Sequence, residues 1–225
     1  MQLLSLIRHG QAGSRQDYDR LSETGRKQAR LLGQWLVRQQ TRFDAVVVGG
    51  LKRQRETAEI VLEILSRGGL APDEVVEDPG WSEFDIDSVF ASVAPRLAQA
   101  DAGFRSAYQS LLQALDDGGS PIHRQWTAAD TAVVQSWISG QFETETESWQ
   151  EFTARVRDAL ARLPSRPHTA VFTSATPVGV CVAGCFASTS PDRILHLAGA
   201  ALNTNITSLI RRDGAWREFD QSSRD

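Results

Sequence analysis

Leu3-Leu4-Ser5-Leu6-Ile7-Arg8-His9-Gly10 opens the chain with an apolar run that stops at two polar residues and a glycine. A short apolar run with that kind of end reads as a buried strand. The pattern returns in Phe43-Asp44-Ala45-Val46-Val47-Val48, which ends at Gly49-Gly50, and in Thr169 to Thr173, which ends at Ser174. A helical pattern follows each run. Leu21 to Gln40 has Ser22 as N-cap and Ala29, Leu32, Trp35 and Leu36 at helical spacing. Lys52 to Leu65 puts Ala58, Val61, Leu62 and Leu65 on one face, and Pro177 to Phe186 forms the third helix. Ile206 to Arg211 reads as a last strand before a turn at Asp213-Gly214. Strands alternating with helices predict an α/β fold, a three-layer sandwich with a mainly parallel central sheet.

The middle of the chain breaks that alternation. Val89 to Ala100, Phe104 to Leu115, Thr127 to Ile138 and Trp149 to Leu163 all read as helices, around a loop at Asp116-Asp117-Gly118-Gly119-Ser120-Pro121. The expectation is one domain over residues 1–225, with a helical insertion at about 86–163. Its aromatic residues Phe104, Tyr108, Trp126, Trp137 and Trp149 read as the core of the insertion. A length of 225 residues is enough to bury a substantial core without disulfides or metal staples. Cys181 and Cys185 are four apart on a helical pattern and read as small buried residues.

Composition excludes several classes. The chain is 41% hydrophobic and 23% charged, which rules out disorder and fibrous repeats. With 24 basic and 28 acidic side chains the net charge is −4, against general nucleic-acid binding. No apolar stretch is long enough to span a membrane, and Met1 to Ile7 is too short for a signal peptide. A cytoplasmic location is the expectation.

Ligands of open α/β sheets bind outside the carboxyl ends of the strands. Here those ends carry Arg8-His9-Gly10, then Lys52-Arg53 at a helix start, then Ser174-Ala175-Thr176 at another helix start. Backbone N–H groups at helix N-termini favour anions, and arginine matches phosphate with paired donors. Arg8, Arg53, Ser174 and Thr176 are therefore the candidate phosphate-binding residues. His9 in its neutral form is a candidate nucleophile toward phosphorus. Glu83, in Trp81-Ser82-Glu83-Phe84-Asp85, is the candidate proton donor, and burial between Trp81 and Phe84 would raise its pKa. Arg55, two residues from Arg53, reads as a surface or rim residue. His123, His168 and His196 read as non-catalytic, and His168 falls at the opposite end of the sheet from His9.

These residues carry a resemblance. Leu6 to Ala12, with Arg8-His9-Gly10, resembles the Arg-His-Gly motif of the histidine phosphatase superfamily, the phosphoglycerate-mutase-like proteins. Leu21 to Ala29 is similar to the helix that follows that motif, and Gly50 to Ala58 looks like the second arginine motif. Asn203-Thr204-Asn205-Ile206-Thr207 looks like the entry to the last strand. The resemblance covers about 1–65, 78–87 and 165–212. It implies His9 as the phosphate-accepting nucleophile, Arg8 and Arg53 as phosphate clamps, Glu83 as proton donor, and no metal or cofactor.

The chain departs from the pattern at three places. Ser174 stands where the family usually has a second histidine. Ser14 and Arg15 stand where an asparagine is usual, and Arg15 is a candidate for widening the anion field. Gly49-Gly50 stands where Ser-Pro is common. The function expected is hydrolysis of a phosphomonoester through a phosphohistidine, with activity reduced by the loss of the second histidine. The alternatives are a non-catalytic phospho-ligand binding protein of the same fold and, ranked last, a phosphoglycerate-type mutase. The expected partner is a small phosphorylated substrate, with a phosphoprotein as the other candidate. No signal for oligomeric state is present.

Overall fold

In the computed structural model, which describes residues 1–14, 17–116 and 128–218, the three apolar runs lie side by side. β1 (Gln2–Arg8), β2 (Ala45–Val48) and β4 (His168–Thr173) are parallel, with β4 in the middle. β3 (Glu74–Glu77) extends the sheet in parallel beyond β2. β5 (Ile206–Arg212) runs antiparallel to β1, and β6 (Ala215–Glu218) closes the other edge as a hairpin with β5. The order is β3-β2-β4-β1-β5-β6, a mixed and mostly parallel sheet of six strands among the described residues. The hairpin turns at Asp213 and Gly214, both at positive φ, the backbone that a tight two-residue turn requires.

Side chains alternate across each strand, so the two faces of the sheet have separate cores. Ile7, Val46, Val48, Ala170 and Phe172 pack with Ala29, Leu32 and Leu36 of α1 (Glu23–Arg38) and Ala58, Val61 and Leu65 of α2 (Lys52–Arg67). The intervening Leu4, Leu6, Val47 and Val171 are equally buried and face the other way. On that side α7 (Ala175–Cys185) packs against α8 (Pro191–Ala200) and reaches β1 and β6. Cys181 is buried in α7, and that burial pushes its thiol far above the ordinary range.

The chain forms two compact units. The sheet unit comprises Met1–Gly13, Asp19–Glu83 and the chain from Arg155 onward. The second unit, built mainly from Phe84–Ala154, holds α3 (Ile86–Ala100), α4 (Ala102–Asp116), α5 (Ala128–Ile138) and the start of α6 (Trp149–Ala161). Its core is aromatic: Trp137 lies 4.8 Å from Phe84 and 5.7 Å from Trp149, ring to ring, and Phe104 stacks on Tyr108. The expected helices are all present with slightly different ends. Arg15, the loop over 117–121, His123 and Trp126 lie outside the described residues. No helix among the described residues is long and apolar enough to cross a membrane.

Candidate active site

Because β2, β4 and β1 are parallel neighbours, the loops after them meet at one edge of the sheet unit. His9 leaves β1 with its backbone N–H bonded to Thr173 O at 2.9 Å, so Ser174 leaves β4 alongside it. The turn after His9 is held by close backbone packing. A Cβ on Gly10 would stand 2.5 Å from Gly25 O, and one on Gly25 would stand 2.1 Å from Gln11 O. Ser22 caps α1 as expected, accepting from Gly25 N, and its hydroxyl also bonds Gln11. The start of α1 is thereby fastened to the segment after His9.

His9 is 3% exposed, and both ring nitrogens are engaged. Nδ1 lies 2.7 Å from Gly10 O, a pure acceptor, so Nδ1 carries the proton. Nε2 accepts from Arg53 Nε at 3.1 Å, which requires a lone pair there. Burial, then Arg53, then Arg8 lower the imidazole pKa well below 6.5, and the opposing bond to Gly10 O is too weak to reverse this. The ring is thus neutral, with its lone pair on Nε2.

Arg53 sits in the first turn of α2. Its Nη1 pairs with Asp19 at 3.1 Å, with side-chain exposures of 7% and 41%. Asp19 Oδ2 also accepts from Lys52 N. One turn on, Thr57 Oγ1 donates to Arg53 O and accepts from Gly10 N, tying the helix to the His9 turn. Arg8 is half-buried and donates from Nη1 to Ala201 O at 2.5 Å. Asn203 Nδ2 donates to His9 O, and Thr204 N to Arg8 O, so the segment entering β5 closes the back of the loop.

Glu83 arrives on a loop held from several sides. Trp81 is fully buried, and its carbonyl accepts from Thr173 Oγ1 at 2.6 Å and from Gln54 Nε2 at 3.2 Å. Arg155 Nη1 donates to the carbonyls of Pro79, Gly80 and Ser82. Glu83 itself is half-buried, and Oε2 accepts from Thr176 N at 3.0 Å. Apolar enclosure was the expectation; what holds the carboxylate instead is the N-terminus of α7.

Ser174 is the N-cap residue of α7, yet its side chain makes no capping bond. It accepts from Gln54 Nε2 at 2.8 Å. Thr176 is buried, and its backbone N–H serves Glu83. All six residues expected from sequence therefore lie at this edge, in three linked groups: His9 with Arg53 and Arg8, Ser174 through Gln54, and Glu83 with Thr176. Sequence reading missed Gln54, Asp19, Thr57 and Asn203. Gln54 and Thr57 continue the helical face of Ala58, Val61 and Leu65, a spacing that could have pointed to them; Asp19 and Asn203 stand in loops with no such signal. Of the remaining candidates, His168 bonds Ser5 and Arg42 O at the start of β4, His196 bonds Asp192 O on α8, and Arg55 pairs with Glu77.

The pattern of the histidine phosphatase superfamily (branch 1) matches residues 4–111, the stretch containing His9, Arg53 and Glu83. Over that stretch, just under half of its length, the chain is similar to this family. Among curated relatives, a phosphoglycerate mutase of the 2,3-bisphosphoglycerate-dependent type from Methylorubrum extorquens is 35% identical over 92 residues, 37% of this chain and 41% of that protein. The mitochondrial serine/threonine-protein phosphatase Pgam5 of Caenorhabditis briggsae is 25% identical over 147 residues, 64% of this chain and 52% of that protein. The chain thus spans about half, or less, of the length of these relatives. A mycobacterial glucosyl-3-phosphoglycerate phosphatase, solved with inorganic phosphate, has a similar fold at 18% identity and a TM-score of 0.58, covering 98% of this chain and 96% of that one. The same protein solved with VO3 aligns at 20% identity and a TM-score of 0.55, covering 97% of each chain.

Proposed function

We propose that this protein is a phosphatase that hydrolyses a phosphomonoester through a phosphohistidine at His9, without metal or cofactor. The observation that carries this reading is the neutral, buried imidazole of His9, its proton fixed on Nδ1 and its lone pair on Nε2. That nitrogen attacks phosphorus, and the ester P–O bond breaks as the P–N bond forms. Arg53 donates to the same nitrogen. A phosphoryl oxygen must therefore take up that N–H as the lone pair turns to phosphorus. Arg53 and Arg8 then stabilise charge on the equatorial oxygens. Ser174 and Thr176, at the start of α7, add donors on the other side.

Glu83 carries the proton that the leaving oxygen takes, which releases the alcohol. Its carboxylate then accepts a proton from water as that water attacks phosphorus. The P–N bond breaks, inorganic phosphate leaves, and His9 is again neutral. The bond from Thr176 N aims the carboxylate. Ser174 in place of a second histidine leaves one strong donor fewer, which costs on the order of 10²- to 10³-fold in rate. The reading is thus of a modest catalyst acting on a small phosphorylated substrate in the cytoplasm. It also treats residues 1–225 as one domain with a helical insertion at about 86–163.

The test is hydrolysis of an aryl phosphate over pH 5 to 8 without metal, with His9→Ala beside the wild type. Turnover that disappears in the variant is the expected result. Binding of phosphate without His9-dependent turnover would instead identify a phospho-ligand binding protein.

A further inference from the structure

Two departures from the family resemblance, Gly49 and Ser174, meet at one side chain. Gln54 is fully buried in the first turn of α2, beside Arg53. Its amide orientation is fixed from both ends. Leu51 N can only donate, so the atom facing it at 3.1 Å is Oε1. Trp81 O can only accept, so the atom facing it at 3.2 Å is Nε2. The second hydrogen of Nε2 goes to Ser174 Oγ at 2.8 Å. An amide nitrogen has no lone pair to offer, so Ser174 Oγ must be the acceptor, and its own hydrogen must point elsewhere. Nor does that oxygen accept a capping bond from α7. Ser174 is 1% exposed and leaves β4 alongside His9, whose N–H bonds the preceding carbonyl.

Gly49 belongs to the same cluster. A Cβ there would stand 2.2 Å from Gln54 Oε1 and 2.8 Å from its Cδ. Any other residue at position 49 forces the amide out of place. What the glycine supplies is space, since its backbone is not in the left-handed region.

We propose that Gln54 is the positioning residue of the site: its amide occupies the oxygen of Ser174 and commits the hydroxyl proton to a phosphoryl oxygen at His9, in a space that Gly49 leaves open. Gln54 and Ser174 together then supply the donor that the absent histidine would have given. The inference rests on the phosphoryl-transfer reading of the site. It links the three residues in one chain of dependence: Gly49 leaves room for the amide of Gln54, and that amide donates to Ser174.

The test is a double-mutant cycle on kcat/KM for an aryl phosphate, with Gln54→Met, Ser174→Ala and the two combined. Each single change is expected to cost about tenfold or more, part of what losing a charge-stabilising donor costs. The combination is expected to be no worse than Ser174→Ala alone. A purely structural role for Gln54 predicts a different result, the same loss in both backgrounds, and that result overturns the proposal. Gly49→Ser should reproduce the Gln54→Met loss, and full activity in it overturns the claim about space. If Gln54→Met loses its circular-dichroism signal, Gln54→Glu, of the same shape but without the donor, takes its place. The comparison of wild type with His9→Ala separately tests the phosphatase reading. Without His9-dependent turnover that reading falls, and the same cycle is then read on inorganic phosphate affinity by calorimetry, where additive losses overturn the role of Gln54.

Discussion

His9 remains neutral because it is buried beside two arginines, and this has a thermodynamic consequence. Its pKa in the folded protein lies well below 6.5, so the unfolded chain takes up a proton first as pH falls. Folding stability is then fully present above about pH 7 and is lost as pH falls from there toward the folded-state pKa. One such group gives a slope of at most about 1.4 kcal/mol per pH unit. His168 is also lowered, chiefly by burial, and acts in the same direction. His9→Gln should therefore reduce, without abolishing, the loss of stability between pH 7 and pH 5 in urea titrations. An unchanged slope would show that His9 is not held neutral. Arg53 makes a separate prediction. It bonds His9 with Nε and Asp19 with Nη1, two directions that a single ammonium cannot serve together. Arg53→Lys should cost about 10²-fold in kcat/KM with the fold intact, and near-normal kinetics would remove Arg53 from the site.

At the scale of elements, the site depends on how α1 and α2 are fastened to the turn after β1. Glu56 of α2 accepts from Leu21 N and from Arg26 of α1, and Thr57 accepts from Gly10 N. The tightest point is Gly25, where backbone meets backbone and no side chain can yield. Gly25→Ala should therefore destabilise by about 1–3 kcal/mol or more and lower activity with it, as thermal melting and the aryl phosphate assay would show. A neutral result would mean that the α1 start moves freely. The local signals for these elements were legible. Ser22 announced the start of α1, and the apolar spacing announced its buried face. Other elements gave no such signal. β3 is Glu-Val-Val-Glu at a sheet edge, with Val75 and Val76 exposed. β6 holds an arginine and a glutamate in four residues. Each is a strand because a neighbour offers hydrogen bonds, and periodicity does not record a neighbour. α8 escaped notice because it buries only Ile194 and Ala198 in ten residues.

For the whole molecule, the sequence alone determined the alternation of strands and helices, the apolar faces that drive them onto a sheet, and the residue types at three strand ends. Those are local properties, set by side-chain period and by caps. Arg8, His9, Arg53, Glu83, Ser174 and Thr176 could be named on that basis, with help from the family resemblance. Only the tertiary structure decided the order β2-β4-β1 that makes three loops one site. It also decided what Gln54, set in the polar run Lys52-Arg53-Gln54-Arg55-Glu56, bonds to. The partner that fixes its meaning, Ser174, lies 120 residues away. Hydrogen-bond partnership is a relation between distant segments, so no window of sequence around Gln54 contains it. The same holds for the neutral state of His9, which Arg53 helps to impose from 44 residues away.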